Sequence, residues 1–155
     1  MRPFPSTLLS LAAAAAMLAC AAAAPAQQPS PNTSPANPLA ASRVFAYRDM
    51  TARTSPNGAV SRSVFTGTLS TGEAIAVHES MQPKGMPPNP AHRIQHSELI
   101  VVEEGTLAYT HDGVTERADA GSIIYVALGT LHSVRNVGDG PAKYVVIQIG
   151  GDTGK

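Results

Sequence analysis

A chain of 155 residues with 11 basic and 11 acidic side chains, five His, one Cys and no Trp has the length of one domain rather than two. Its formal charge of zero, with Lys and Arg scattered, provides no field for gathering phosphate backbones and argues against nucleic-acid binding. The hydrophobic fraction of 43 % is swollen by alanine near the start.

Residues 1–26 read as a secretory signal: Arg2 supplies the positive head, Leu8 to Ala24 is apolar apart from Ser10, and Ala24-Pro25-Ala26 offers a small-residue cleavage pattern. The apolar stretch falls short of the ~20 residues that a bilayer-spanning helix needs, and alanine is weakly hydrophobic, so export to a periplasmic or extracellular space is expected over anchoring. Lipoprotein anchoring through Cys20 is the minor alternative, since Met17-Leu18-Ala19 matches an acylation leader only loosely. Cleavage after Ala26 leaves no cysteine and hence no disulfide partner, so the fold must rely on its core. Residues 27–42, rich in Pro, Ser and Asn, cannot bury enough apolar surface to offset chain ordering and read as a flexible tether. A single folded domain is expected over 43–150, followed by a tail at 151–155.

Within that domain, short β-branched or apolar runs alternate with Gly, Pro, Asn and Asp, and no helical periodicity persists. The expected class is all-β. Strands are predicted at Ser63–Leu69, Glu73–Glu79, Leu99–Glu103, Thr106–Thr110, Val114–Ala118, Ser122–Val126, His132–Asn136 and Lys143–Ile149. Asp112-Gly113 fits a two-residue hairpin, because the primed turns require positive φ. Val101-Val102, Ile123-Ile124 and Val145-Val146-Ile147 suit strands covered on both sides, and two packed antiparallel sheets follow, as in a jelly roll or small barrel.

His92, His96 and His132 keep company with Glu98 in two separated segments, a pattern suited to one divalent metal ion. Imidazole nitrogens and a carboxylate oxygen bind Mn, Fe, Zn, Ni or Cu at about 2.0–2.2 Å, so the donors must converge. On extended chain His96 and Glu98 share a face about 6.6 Å apart, whereas His92 lies roughly 20 Å from Glu98 unless the chain bends between them.

From Gly121 to Asn136 the chain reads Gly, five residues, Ala127-x-Gly129, two residues, His132, three residues, Asn136. This resembles the second cupin motif at every spacing, with Ala127 in place of its Pro. Upstream, Glu98 followed by Gly105 resembles the close of the first motif, with His92 at its first histidine position. Ile94 occupies the second, where the family usually has another metal ligand. The resemblance runs from about Met81 to Ile149 and implies a cupin jelly-roll β-barrel, a double-stranded β-helix of the small single-domain kind. It transfers His92, Glu98 and His132 to metal binding. His96, two positions past the missing ligand, is assigned to complete the set on spacing alone, and holding a ligand by hydrogen bond is the other role open to it.

The resemblance also implies a small-molecule ligand in the barrel and allows a homodimer. The leading expectation is an exported mononuclear metal enzyme of dioxygenase or isomerase type; the alternative is a non-catalytic module that binds a small ligand or metal, a view that the loss of histidine at Ile94 favours. Outside the four candidate ligands, His78 is expected in core packing or at an edge in preference to entry into the cavity, His111 facing solvent, and Tyr109 and Tyr125 in sheet packing in preference to a cavity-facing role.

Overall fold

A computed structural model of the chain describes residues 36–151 and 153. The secretory signal expected at 1–26, Cys20 and most of the expected tether lie outside the described residues. Among those described, no helix is long and apolar enough to cross a membrane.

Ten antiparallel strands form the domain: β1 (Ala52–Thr54), β2 (Val60–Thr68), β3 (Ala74–Gln82), β4 (His92–Arg93), β5 (Ser97–Glu104), β6 (Thr106–His111), β7 (Val114–Asp119), β8 (Ile123–Val126), β9 (Leu131–Asn136) and β10 (Ala142–Ile149). One sheet has the order β1-β2-β3-β10-β5-β8 and the other β4-β9-β6-β7. This is the all-β jelly-roll architecture expected from the sequence. The eight predicted strands are present with ends shifted by up to three residues, while β1 and β4 carry too few residues for periodicity to mark them.

The alternation of strand side chains sorts the sheet into layers. Ile100, Val102, Ile124, Val126, Tyr144 and Val146 point inward from the larger sheet and meet Leu107, Tyr109 and Ala118 from the smaller. Ile94 joins this apolar core at 6 % exposure. The apolar doublets are not covered on both sides throughout: Ile124 is buried, but Ile123 is 65 % exposed on the outer face of β8. The pleat explains the difference, because successive side chains of β8 alternate between the core and the solvent-facing side, as its exposed-buried pattern shows.

One turn of the smaller sheet follows its sequence directly. Asp112 and Gly113 both take positive φ, 46° and 81°, closing the β6–β7 hairpin as a primed turn and fixing His111 opposite Val114. Gly105 joins β5 to β6 at φ 78°, and a Cβ there would stand 2.5 Å from the Pro141 carbonyl oxygen, so this crossing requires glycine.

A polar lock ties together β3, β9 and β10. Asn136 Nδ2 donates to the Gln82 and Gly140 carbonyls at 3.0 and 2.8 Å, and its backbone N–H donates to Gln82 Oε1 at 2.8 Å. Gln82 Nε2 in turn donates to the Tyr144 hydroxyl at 3.0 Å. Among the described residues no buried side-chain polar atom lacks a partner. The stretch expected as tether ends in contact with the barrel: Asn37 Nδ2 donates to the Thr68 carbonyl at 2.7 Å, and its Oδ1 accepts from the Thr68 N–H at 3.2 Å.

Candidate metal centre

The prolines at 87, 88 and 90 exclude helix and deliver an irregular chain to β4, which pairs with β9 so that His92 stands directly across from His132. The backbone then turns: the Ile94 carbonyl accepts from the Gly129 N–H at 3.0 Å, Gln95 and His96 bend, and β5 starts at Ser97. This is the bend that His92 and Glu98 require in order to meet. Gly151 packs its backbone against Gln95 so closely that a side chain there would collide with the Gln95 carbonyl.

His132 is 2 % exposed and Glu98 6 %. Their rings and carboxylate come from different sheets, with His132 Nε2 3.8 Å from Glu98 Oε2. The His92 and His132 ring centroids are 4.7 Å apart. His132 Nδ1 lies 3.2 Å from the Thr130 carbonyl, and His92 Nδ1 3.4 Å from that of Pro90. A carbonyl accepts only, so each Nδ1 carries its proton in these contacts, and Nε2 is the nitrogen left to bear the lone pair in a neutral ring.

The other carboxylate oxygen is occupied. Glu98 Oε1 lies 3.0 Å from His96 Nε2 and accepts from Gln148 Nε2 at 3.1 Å. His96 is therefore beside Glu98, as its two-residue spacing predicts, and is itself 7 % exposed. Burial pushes the His132 imidazole below its usual value, with the Thr130 carbonyl opposing the shift. His78 is lowered in the same way by burial, with Glu98 opposing. Both effects favour the neutral imidazole at neutral pH.

Two features differ from the sequence expectation. His78, expected in core packing or at an edge, lines the cavity of about 250 Å³ that also contains His92, Glu98, His132 and Gln148. The Ala74-Ala76-His78 face makes core packing the first expectation and cavity entry the second, and Gln148, a lone polar residue within the Val145–Ile149 run, marks that part of the barrel as unlike a plain core. His111, expected to face solvent, is only partly exposed at 28 % and sits across from His132 on β6. Its ring stacks on Tyr109 with centroids 4.7 Å apart, and its Nε2 is 2.9 Å from Glu116 Oε2. The Asp112-Gly113 turn fixed that register and was the available signal. Tyr109 packs in the core as expected, while Tyr125 is 62 % exposed.

Among the described residues, no group of three or more His, Cys, Asp or Glu side chains is drawn together tightly enough to form a metal cage as it stands. The donor chemistry nevertheless fits a metal. Two donors each about 2.1 Å from one ion are at most about 4.2 Å apart, a limit that the His132–Glu98 separation meets. Both imidazoles have Nδ1 against a carbonyl, the arrangement that orients Nε2 toward a ligand site.

Residues 77–148 match the family model described as a cupin domain. No curated relative matches this sequence. Among solved structures, an RmlC-like cupin from Shewanella frigidimarina is similar over 70 % of this chain and 91 % of its own, at 18 % identity and a TM-score of 0.57. A sugar phosphate isomerase of the cupin superfamily from Silicibacter pomeroyi is similar over 68 % of this chain and 74 % of its own, at 20 % identity and a TM-score of 0.57. A predicted oxalate decarboxylase from Thermotoga maritima is similar over 69 % of this chain and 98 % of its own, at 15 % identity and a TM-score of 0.53. At these identities the likeness is one of fold. With the jelly-roll strand order and the matched motifs, it identifies residues 77–148 as the body of a small cupin-type domain.

Proposed function

We propose that the cavity between the two sheets holds one divalent transition metal through His92, Glu98 and His132, and that the protein is an exported enzyme acting on a small organic molecule. The observation that carries this reading is the approach of His132 Nε2 to Glu98 Oε2 at 3.8 Å, with His132 Nδ1 held by Thr130. When bound, such a metal supplies Lewis-acid or redox chemistry to an oxygen-bearing substrate, which suits isomerase or dioxygenase activity. The isomerase and oxalate decarboxylase descriptions of two similarly folded proteins support an enzymatic role. Export rests on the leader-like composition of residues 1–26.

The chain's own residues have separable tasks. His92 and His132 present neutral Nε2 lone pairs, and Glu98 presents Oε2 as the anionic donor. His96 acts through Glu98: with Gln148 it holds Oε1 and keeps Oε2 turned toward His132. This assigns His96 to carboxylate positioning in preference to the direct ligation expected from spacing. Ile94 replaces the usual second histidine with core packing, and that observation favours the second reading, a metal- or ligand-binding module without turnover.

Elemental analysis of the purified wild-type protein tests the proposal. About one metal ion per chain is expected, falling to a small fraction in Glu98→Gln and His132→Ala, while circular dichroism confirms folded β structure in both. A wild-type protein without stoichiometric metal after incubation with Mn, Fe, Zn, Ni or Cu overturns it. Stoichiometric metal without turnover of any oxygen-bearing substrate selects the binding module.

A further inference from the structure

The inner face of the larger sheet changes character from one side to the other. On β10 and β5 it presents Val146, Ile100 and Val102, all buried. On β2 it presents Ser61, Ser63 and Thr66, all exposed. The six-stranded sheet extends past the four-stranded one, so β1 and β2 have no opposing sheet, and hydroxyls stand where a core would otherwise need apolar groups. The segment 43–51 flanks this overhang and with it encloses a cleft of about 850 Å³. The cleft and the cavity of the candidate metal centre share His78 and Gln148 in their walls. They are therefore adjoining spaces, with the boundary at residues beside Glu98.

The charges on the cleft are unbalanced. Its ionised groups are Arg43, Arg53 and Asp49, and Asp49 lies 3.7 Å from Arg48. Among the described residues neither Arg43 nor Arg53 has an ion-pair partner; Arg43 lies over the Phe45 ring at 5.1 Å. Arg48, Lys84, Arg117 and Lys143 are ion-paired with Asp49, Asp139, Asp119 and Glu104, while Arg62, Arg93 and Arg135 also lack an ion pair among the described residues but lie outside the cleft. In a chain whose formal charges cancel, two arginines without partners on one cleft form a local positive field. Each guanidinium presents a planar fork of donors suited to carboxylate or phosphate oxygens.

We propose that this cleft binds the anionic end of a small hydroxylated organic acid or phosphate ester, and that Arg43 and Arg53 select for its charge. Strand pairing sets the scale. Arg53 is opposite Ser61 and Ser61 is opposite Ser80, while Ser63 is opposite His78. Arg53 thus lies two strand spacings, roughly 10 Å, from the strand that carries His78, a span on the scale of a chain of about six carbons. A ligand anchored at Arg53 and Arg43 runs its hydroxyls along Ser61, Ser63 and Thr66 and brings its other end to His78 and Gln148. This assignment names the substrate class for the proposed enzyme and rests on that reading for the reacting end alone.

Isothermal titration of the purified protein with gluconate, glucose 6-phosphate and neutral sorbitol tests it, with metal content measured on the same samples. At least one of the two anions is expected to bind, with sorbitol weaker by about tenfold or more. Arg53→Gln and Arg43→Gln are each expected to lower anion affinity by about tenfold, and together by more, with metal content and melting temperature unchanged. Arg62→Gln, whose guanidinium lies over Tyr47 outside the cleft, should leave binding as in the wild type and controls for general charge.

Equal binding of sorbitol and gluconate, failure of both anions to bind, or unaltered anion binding in the double variant would overturn the proposal. The separate readouts distinguish the two readings. A protein that binds anions through these arginines but holds no metal retains the cleft and loses the metal centre. One that holds metal at His92, Glu98 and His132 but fails the anion test does the reverse.

Discussion

Two polar clusters at the two ends of β9, one around Asn136 and one around His132, leave their groups in different states, although Gln82 and Tyr144 of the first also line the cavity of the second. At the Asn136 end, the amide groups of Asn136 and Gln82 are taken up by one another, by main-chain carbonyls and by Tyr144. At the His132 end, internal hydrogen bonds engage one atom of each polar group and leave the other toward the cavity: Nδ1 but not Nε2 of His132, and Oε1 more closely than Oε2 of Glu98. A saturated network rigidifies, whereas a half-engaged and oriented one is a site ready to accept a ligand.

That contrast predicts that damage at the two ends separates. Ile94 sits in the core just beyond the metal centre, and Ile94→Ala is expected to destabilise the fold by about 2–4 kcal/mol through lost contact and a cavity. Chemical denaturation measures this loss, and metal stoichiometry should persist under native conditions. Asn136→Ala is expected to cost about 2 kcal/mol, because the Gln82 and Gly140 carbonyls and the Gly138 N–H lose partners. Metal affinity should again stay near the wild-type value. Coupled loss of stability and metal in Asn136→Ala would mean that the two ends are not independent.

At the other end, His96→Ala should change binding more than folding. If His96 positions Glu98, metal affinity falls by about 10- to 100-fold while saturating metal still loads one ion. Loss of loading at saturation would make His96 a ligand, as its spacing alone suggested. The smallest expected effect concerns His111. Glu116 raises its pKa above the ordinary 6.5, so the folded state holds the proton more firmly than the unfolded chain. The resulting stabilisation is complete below that ordinary value and is lost as pH rises through the raised one. Melting temperatures of wild type and His111→Gln should therefore converge as pH increases across that window; a constant difference would remove the linkage.

Much of this arrangement was legible in the residues. The Gly121–Asn136 spacing placed His132 and Asn136 on one strand, and the i, i+2 relation brought His96 to Glu98. The need for a bend between His92 and Glu98 was also readable from strand length, and the chain supplies it at Gln95 and His96. Other features depend on tertiary pairing. β4 has two residues and exists through its bonds to β9, so no periodicity could announce it. His78 enters the cavity because β3 pairs with β10, which sets His78 opposite the buried Val146 on the face turned to His132, a consequence of strand order that local pattern does not encode. Asn37 lies in a segment whose composition resembles a linker, yet one side chain suffices to dock it on Thr68.

Diffraction from crystals soaked in manganese, recorded near the metal's absorption edge, examines the convergence of His92, Glu98 and His132 most directly. The expected result is one anomalous peak about 2.0–2.2 Å from both Nε2 atoms and from Glu98 Oε2, with His96 still on Oε1. A peak at another group of side chains, or none between the two sheets at saturating metal, would contradict it.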